Sequence, residues 1–320
     1  MITVVIPYFQ RTEGVLRKAL ASIAAQRDCP LPIHVIVVDD SSPVPAAGEI
    51  AAAALPDTIG MALIRQANAG PGAARNTGLN AAPPATRYIA FLDSDDEWSA
   101  EHLARATVAL QPGYDVFFGY HLQLDQKIGA FERGRRLNLA EHTELTNGSG
   151  LHAYVGDMFD QILRGNLIGT STVVLDFQRF KDLRFRVEFS NAGEDYLFWL
   201  ELTQLNARFV FSSKIEAIYG RGVNIYSASG WGTDQYALRV HNEMKFRKTV
   251  QRLFQLNGEQ EQRIQTNLAV LRRSFAEDLL NRVSHGRKFD RSLLIAQWQL
   301  DRPSFYKIPA VLCRKLLRFQ

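Results

Sequence analysis

The chain has 320 residues, of which 46% are hydrophobic and 22% charged, with 22 glycines and 12 prolines. That is enough apolar material for one large core or a core with an extension, and it excludes a disordered, collagen-like or low-complexity chain. The net charge is +4, and Arg302, Lys307, Arg314, Lys315 and Arg318 against Asp301 carry all of it within residues 301–320, so the body is neutral and a general nucleic-acid binder is excluded.

Alternation of strand and helix signals dominates the first half. Residues 2–6 form a β-branched run ended by Pro7, and Leu16, Ala19, Leu20 and Ile23 then recur at helical spacing. Further buried-strand runs are predicted at residues 33–38, 62–66, 88–92 and 116–120, with helices at 72–81 and 100–110 between them. Apolar strands separated by helices imply an α/β fold with a mainly parallel sheet covered on both faces. Residues 121–150 are polar and read as loop or a peripheral hairpin, with Asn147-Gly148-Ser149 as a turn. A strand is predicted at 170–175, a helix at 196–205 and strand-like runs at 209–211 and 215–219. Residues 220–232, GRGVNIYSASGWG, form a glycine-rich loop; helical patterns follow from 233 to 284 and around 292–299. The expected division is a catalytic domain at 1–225 and a helical extension at 226–320.

Cys29 and Cys313 make neither a disulfide framework nor a zinc site, and they suit a reducing cytoplasm. The opening MITVVIPYFQR lacks the basic lead and longer apolar region of a secretory signal. No stretch approaches the ~20 apolar residues that span a bilayer. A cytoplasmic location is expected, with peripheral contact at the inner face of the membrane open to the tail. There Val311, Leu312, Leu316, Leu317 and Phe319 interleave with Arg314, Lys315 and Arg318, either as a membrane-lying segment or as a packed helix with a solvated basic edge.

Two predicted strands end in carboxylates: Asp39-Asp40 after the second, and Asp93, Asp95 and Asp96 after the fourth. In an open α/β sheet, ligands bind beyond the carboxyl ends of the strands. Five carboxylates drawn toward one edge repel each other unless hydrogen bonds or a cation compensate. A hard divalent cation completed by phosphate oxygens is the natural compensator, which points to a nucleotide diphosphate. Each cluster alone is equally at home as a turn or helix cap. Between them, NAGPGAARNTGL approaches the dinucleotide fingerprint but has Arg75 at the last glycine position and follows the third strand, so a nicotinamide or flavin site is rejected. Arg75 has three readings: a phosphate partner, a partner of the acidic clusters, or a structural ion pair. Glu194-Asp195 opens an apolar helix; Asp195 is either an N-cap or, near a metal–diphosphate centre, a general base.

In this order, VVIPYFQR, VVDDSS, NAGPGAARNTGL, FLDSDDEW and GEDYLFWL resemble the family-2 glycosyltransferases of GT-A fold, over roughly residues 1–220. The resemblance implies a Rossmann-like sheet flanked by helices and a UDP-sugar donor. It implies Pro7 and Tyr8 at the uracil edge, Asp40 with Asp39 on base or ribose, and Arg75 near the nucleotide. Asp93 and Asp95 match the DxD motif, Asp93 near the ribose and Asp95 on Mg²⁺ or Mn²⁺, with Asp93 and Asp96 as further candidate ligands. Asp195 matches the catalytic base, with Glu194 beside it. Tyr8-Phe9-Gln10 stands where the commoner family form has Thr-Tyr-Asn. That start, with the 220–232 loop, looks like bacterial glucosyltransferases that build succinoglycan-type exopolysaccharides. Such enzymes transfer glucose to a lipid-linked or soluble glycan acceptor, with inversion. Asn224 and Trp231 are the acceptor-loop candidates; Trp231 reads either as a sugar platform or as ordinary packing, and His241 as a late metal or phosphate contact or as surface and packing. The competing readings are a sugar-nucleotide nucleotidyltransferase and a non-catalytic sugar-binding protein on the same scaffold. The first lacks its glycine-rich basic loop after the first strand, and the second has no need of Asp195.

Overall fold

The β-branched run at the start forms β1 (Ile2–Tyr8), whose Ile2, Val4, Ile6 and Tyr8 share one face by the two-residue period of a strand. That face packs on Leu16, Ala19, Leu20 and Ile23 of α1 (Val15–Ala24), spaced to line one side of a helix. The computed structural model describes all residues except 124, 125, 135, 190–192, 223–228, 310, 311 and 313–320. Asn224, Val311, Arg314, Lys315, Leu316, Leu317, Arg318 and Phe319 therefore lie outside the described residues.

The chain continues through β2 (Ile33–Asp39), α2 (Ala46–Ala51), β3 (Gly60–Arg65), α3 (Pro71–Asn80), β4 (Tyr88–Phe91), β5 (Glu97–Trp98), α4 (His102–Leu110) and β6 (Val116–Gln123). Then come α5 (Ala130–Gly134), β7 (Thr143–Glu144), β8 (Leu151–Ala153), α6 (Met158–Arg164), β9 (Val174–Asp176), α7 (Glu194–Gln204) and β10 (Phe209–Tyr219). The strands form one sheet in the order β3-β2-β1-β4-β9-β6-β10-β8-β7, with β5 paired to β10. The β3-β2-β1-β4 half is parallel throughout. Parallel pairing resumes at β6–β10, while β9 enters antiparallel between β4 and β6. The sheet is mostly parallel, with helices supplied by the β–α connections.

Two expectations change in detail. Residues 170–172 are a 3₁₀ turn, and the strand begins only at Val174. The runs at 209–211 and 215–219 are one strand, β10, interrupted by register shifts between Ser212 and Ala217; such shifts bend the strand and break the sequence pattern. The polar stretch at 121–150 holds the end of β6, α5 and the antiparallel β7–β8 pair.

Contacts divide the chain into two units, Met1–Ser190 with Glu194–Val223, and Asn191–Gly193 with Asn224–Gln320. The second is helical: α8 (Tyr236–Leu253), α9 (Gly258–Ser284), α10 (Arg291–Leu300) and α11 (Pro303–Tyr306). Asn257 and Gln260 close a reciprocal capping box at the start of α9. Within this unit α8 packs on α9 and α10, and α11 on α9. No described helix is long and apolar enough to cross a membrane.

Candidate active site

Parallel strands deliver their C-terminal ends to one edge, and β1, β2 and β4 are neighbours there. The chain leaves β4 through Asp93-Ser94-Asp95-Asp96. Asp96 is buried and fully engaged: Gly220 N–H donates to Oδ1 at 2.9 Å, and the Ser171 hydroxyl donates to Oδ2. Burial, with Asp95 and Asp93 beside it, pushes its carboxyl well above the usual range. Asp96 therefore braces the loop through both of its carboxylate oxygens, next to Asp93 and Asp95, with which it was expected among the metal ligands. Asp95 stays partly exposed and accepts from Gly222 N–H at 2.7 Å. A side chain at Gly220 would run into the Asp95 carbonyl oxygen, and one at Gly222 into its carboxylate. The GRG sequence thus lets backbone close over Asp95. Burial and the charge of Asp93 raise the Asp95 carboxyl.

Arg75 is the hub. It sits in α3, 4% exposed, between two carboxylates from distant chain segments. Its Nη2 donates to Asp93 Oδ1 at 2.6 Å, and its Nη1 to Glu194 Oε1 at 3.1 Å. The guanidinium also lies 5.4 Å above the Phe185 ring, which stacks on Phe198 of α7. Burial alone would lower its pKa; Asp93 and Glu194 more than reverse that. Of the expected roles, the structure realises the pairing with the acidic clusters.

Glu194 is itself buried, and its Oε2 has no hydrogen-bond partner among the described residues. Desolvation first, then Asp195 beside it, push its carboxyl up to about 7 despite Arg75. Asp195 opens α7. Its Oδ1 accepts from the Tyr196 N–H at 2.8 Å, as in the first turn of a helix, and its Oδ2 from Thr170 Oγ1 at 3.3 Å. Burial raises its carboxyl, while Arg75 pulls the other way. A partly exposed carboxylate of raised basicity suits proton abstraction.

Asp39 and Asp40 are also buried. Asp39 accepts from Ser42 N–H at 2.8 Å and Ala46 N–H at 2.9 Å, forming the turn into α2. Asp40 accepts from Gln66 Nε2, Ala69 N–H and Gly70 N–H at 2.7–2.9 Å, pinning the loop before α3. They share the sheet edge with Asp93, but β1 intervenes between β2 and β4, a separation of about 10 Å at ~4.8 Å per strand. Gln10 spans that gap. It accepts the Ser42 hydroxyl on its carbonyl at 3.0 Å, and its Nε2 donates to Ser94 Oγ at 3.0 Å. Tyr8 is 1% exposed and packs in the core cluster with α1, while its hydroxyl end lies near Ser42 and Asp39 after β2. Pro7, on the opposite face, is partly exposed.

Sequence reasoning missed the 170–172 turn. Its Ser171 Oγ accepts from the Asp93 N–H at 3.0 Å while donating to Asp96, and its Thr170 reaches Asp195. One tripeptide thus holds the β4 loop and the start of α7 together. Behind it, His121 stacks on Tyr219 at 4.2 Å, and burial lowers that histidine to about 4. No spacing in the sequence signals these contacts, which cross about 25 to 100 residues of chain.

In the second unit, Trp231 is half exposed and packs edge-on against Tyr236. His241 Nδ1 is 2.7 Å from Gln297 Oε1 in a buried polar network, the packing alternative of its two readings.

Among the described residues no group of three or more metal-ligating side chains converges. The Asp93–Asp95 pair supplies two carboxylates whose repulsion raises Asp95. That donor set fits a Mg²⁺-like ion, which takes one or two carboxylates and fills its shell with phosphate oxygens and water.

Residues 3–160 match the sequence profile of glycosyl transferase family 2. The chain is 30% identical over 311 residues to the succinoglycan biosynthesis protein ExoW of Rhizobium meliloti (strain 1021), covering 93% of this chain and 92% of that one. In fold it is similar to S. aureus TarS 1–349 in complex with UDP-GlcNAc, with a TM-score of 0.58, 20% identity, and coverage of 94% and 75% of the two chains. It is also similar to the mannosyltransferase PcManGT from Pyrobaculum calidifontis in complex with GDP-Man and Mn²⁺, with a TM-score of 0.56, 14% identity, and coverage of 99% and 86%.

Proposed function

The chain belongs to glycosyltransferase family 2 and has the GT-A fold, and on that premise we propose that it moves a sugar, glucose, from a UDP-sugar to a glycan or lipid-linked oligosaccharide in exopolysaccharide synthesis. The transfer is metal-dependent and inverts the anomeric centre. The relative named for succinoglycan biosynthesis supports the pathway class, and the UDP-GlcNAc complex of TarS supports the donor class. Family membership sets aside the nucleotidyltransferase and the non-catalytic binding protein.

One observation carries the mechanism: Arg75 ties the Asp93 of the β4 loop to the Glu194 that precedes Asp195. The acidic loop and the proposed base are thereby parts of one assembly. Asp195 takes the proton of the acceptor hydroxyl as its oxygen bonds to the anomeric carbon and the bond to the diphosphate oxygen breaks. Asp95 and Asp93 would hold a Mg²⁺ or Mn²⁺, whose chemistry when bound is to neutralise charge on the departing diphosphate. Pro7, Asp39 and Asp40 lie at the nucleoside end of the same sheet edge; Asp40 acts there by shaping the 66–70 loop ahead of α3. A double displacement would need a second carboxylate at the anomeric carbon. Glu194 is buried and clamped by Arg75, which favours the single, inverting displacement.

The test is Asp195→Asn assayed with UDP-sugars, an acceptor glycan and Mn²⁺. Donor binding should persist while transfer falls by at least about 10²-fold, as expected for a lost general base. Near-normal turnover would remove Asp195 from the role.

A further inference from the structure

We propose that the exposed face of α10 and α11 is a docking surface for an anionic lipid bilayer. Arg291, Ile295 and Trp298 follow each other at spacings of four and three residues, so they share one face of α10, and Arg302, at the start of α11, joins Trp298 there. Ile295 is 60% exposed, Trp298 43%, and Tyr306 of α11 66%. The aromatic groups form one cluster: Trp298 meets Phe305 at 5.3 Å and Tyr306 at 6.3 Å, both edge-on, and the Arg302 guanidinium lies 5.7 Å from the Trp298 ring centre. The inward side of the same helix is committed elsewhere. Gln297 is fully buried and bonds His241 and Ser304.

Charge identifies the occupant. Residues 285–320 contain Arg287, Lys288, Arg291, Arg302, Lys307, Arg314, Lys315 and Arg318 against Asp290 and Asp301, a net +6 in a chain of net +4. Neither acid neutralises the face. Asp290 is spent as the N-cap of α10. Asp301 is buried and paired with Lys248 of α8 and Arg272 of α9. Exposed tryptophan and tyrosine flanked by arginine and lysine is the composition of the membrane–water interface, where amphipathic rings sit at headgroup depth and basic groups meet anionic lipid. Leu312 is exposed as well, and the sequence CRKLLRFQ that follows adds three cations to this end of the chain. A protein partner would require an acidic apolar surface, and a second copy would set like charges against each other. The inference rests on the proposed function only for its purpose, which is to bring a lipid-linked acceptor within reach.

The test uses the full chain and vesicles of one part phosphatidylglycerol to two parts phosphatidylcholine, with pure phosphatidylcholine as control. Co-sedimentation should be at least about tenfold stronger on the anionic vesicles and should fall with salt. Of the four tryptophans, Trp98 and Trp199 are buried; in a Trp231→Phe background Trp298 alone should blue-shift on binding. Trp298→Ser with Tyr306→Ser should weaken partitioning about tenfold, as should truncation after Leu312, with thermal unfolding unchanged in both. Equal binding to neutral vesicles, no binding to either, or full binding by the serine variant would overturn the proposal. So would a dimer in solution that Trp298→Ser dissociates. Nucleotide release from soluble donor and acceptor, followed in parallel, separates failure of this surface from failure of the transfer reaction.

Discussion

Arg75→Met keeps an unbranched apolar stem and removes the guanidinium with its charge, and the structure sets the size of the effect. Glu194 titrates near 7 in the fold against an ordinary 4.5. A carboxyl raised in this way binds more protons folded than unfolded between those values. Stability therefore falls as pH rises through that window, by about 3 kcal/mol in total at 1.36 kcal/mol per unit. Arg75 is what stops the fall near 7, because it favours the ionised form. Without it the Glu194 carboxyl shifts higher, and the loss continues above pH 7 at about 1.36 kcal/mol per pH unit, with almost nothing added near pH 5.5. The lost hydrogen bond to Asp93 costs about 1 kcal/mol at either pH, discounted because that side chain is one-third exposed. Arg75→Met should therefore melt only a few degrees below wild type near pH 5.5. Near pH 8 the gap should widen by about 3–6 °C, at 2–4 °C per kcal/mol for a unit of this size. Scanning fluorimetry at the two pH values reads this directly. An equal drop at both, or none at either, refutes the bridge as the element that keeps Glu194 ionised. Arg75→Lys keeps a positive charge beside Glu194 but loses the planar fork, so its extra loss near pH 8 should be smaller than that of the methionine variant.

Glu194→Gln removes one of several raised carboxyls, so its melting temperature should fall less steeply than that of wild type between about pH 5 and 7; a parallel decline would place the titration elsewhere. Asp195→Asn should hold donor with wild-type affinity in calorimetry while turnover falls at least about 10²-fold. Asp95→Ala should abolish the Mn²⁺-dependent part of UDP binding, because Asp96 is already committed to Gly220 and Ser171 and cannot replace it; retained metal dependence would contradict that assignment. At Gly169, an added methyl would collide with Tyr219 and His121, so Gly169→Ala should cost about 1–3 kcal/mol of overpacking and slow transfer through the neighbouring Thr170; an unchanged denaturant midpoint would show that the rings yield.

Periodicity made the parallel half of the sheet legible, because Ile2, Val4, Ile6 and the α1 stripe repeat at the spacings of their elements. The carboxylates at strand ends were legible too, since strand ends gather on one edge. What each carboxylate does there was not. Asp93, Asp95 and Asp96 are adjacent letters, yet one pairs with arginine, one meets a glycine amide from the 220–222 turn, and one is buried as a brace. Those differences arise from residues about 20 to 125 positions away, Arg75, Ser171, Gly220 and Gly222, which carry no local pattern. Tyr8 shows the same limit: its parity on β1 buries the ring with α1, which its place in the motif does not announce. The 3₁₀ turn at 170–172 is three small hydroxyl residues before a β-branched run, and nothing in that composition distinguishes a site brace from the start of a strand.

Sugar transfer from a nucleotide by one assembly of Asp95, Arg75 and Asp195 is the proposed activity. The most direct measurement is nucleotide release by purified protein across a panel of UDP- and GDP-sugars, with and without Mn²⁺ and a glycan acceptor, for wild type and Asp195→Asn. UDP release from UDP-glucose should need both metal and acceptor and should collapse in the variant. Release from no donor in the panel, or release indifferent to metal and to Asp195, would contradict it.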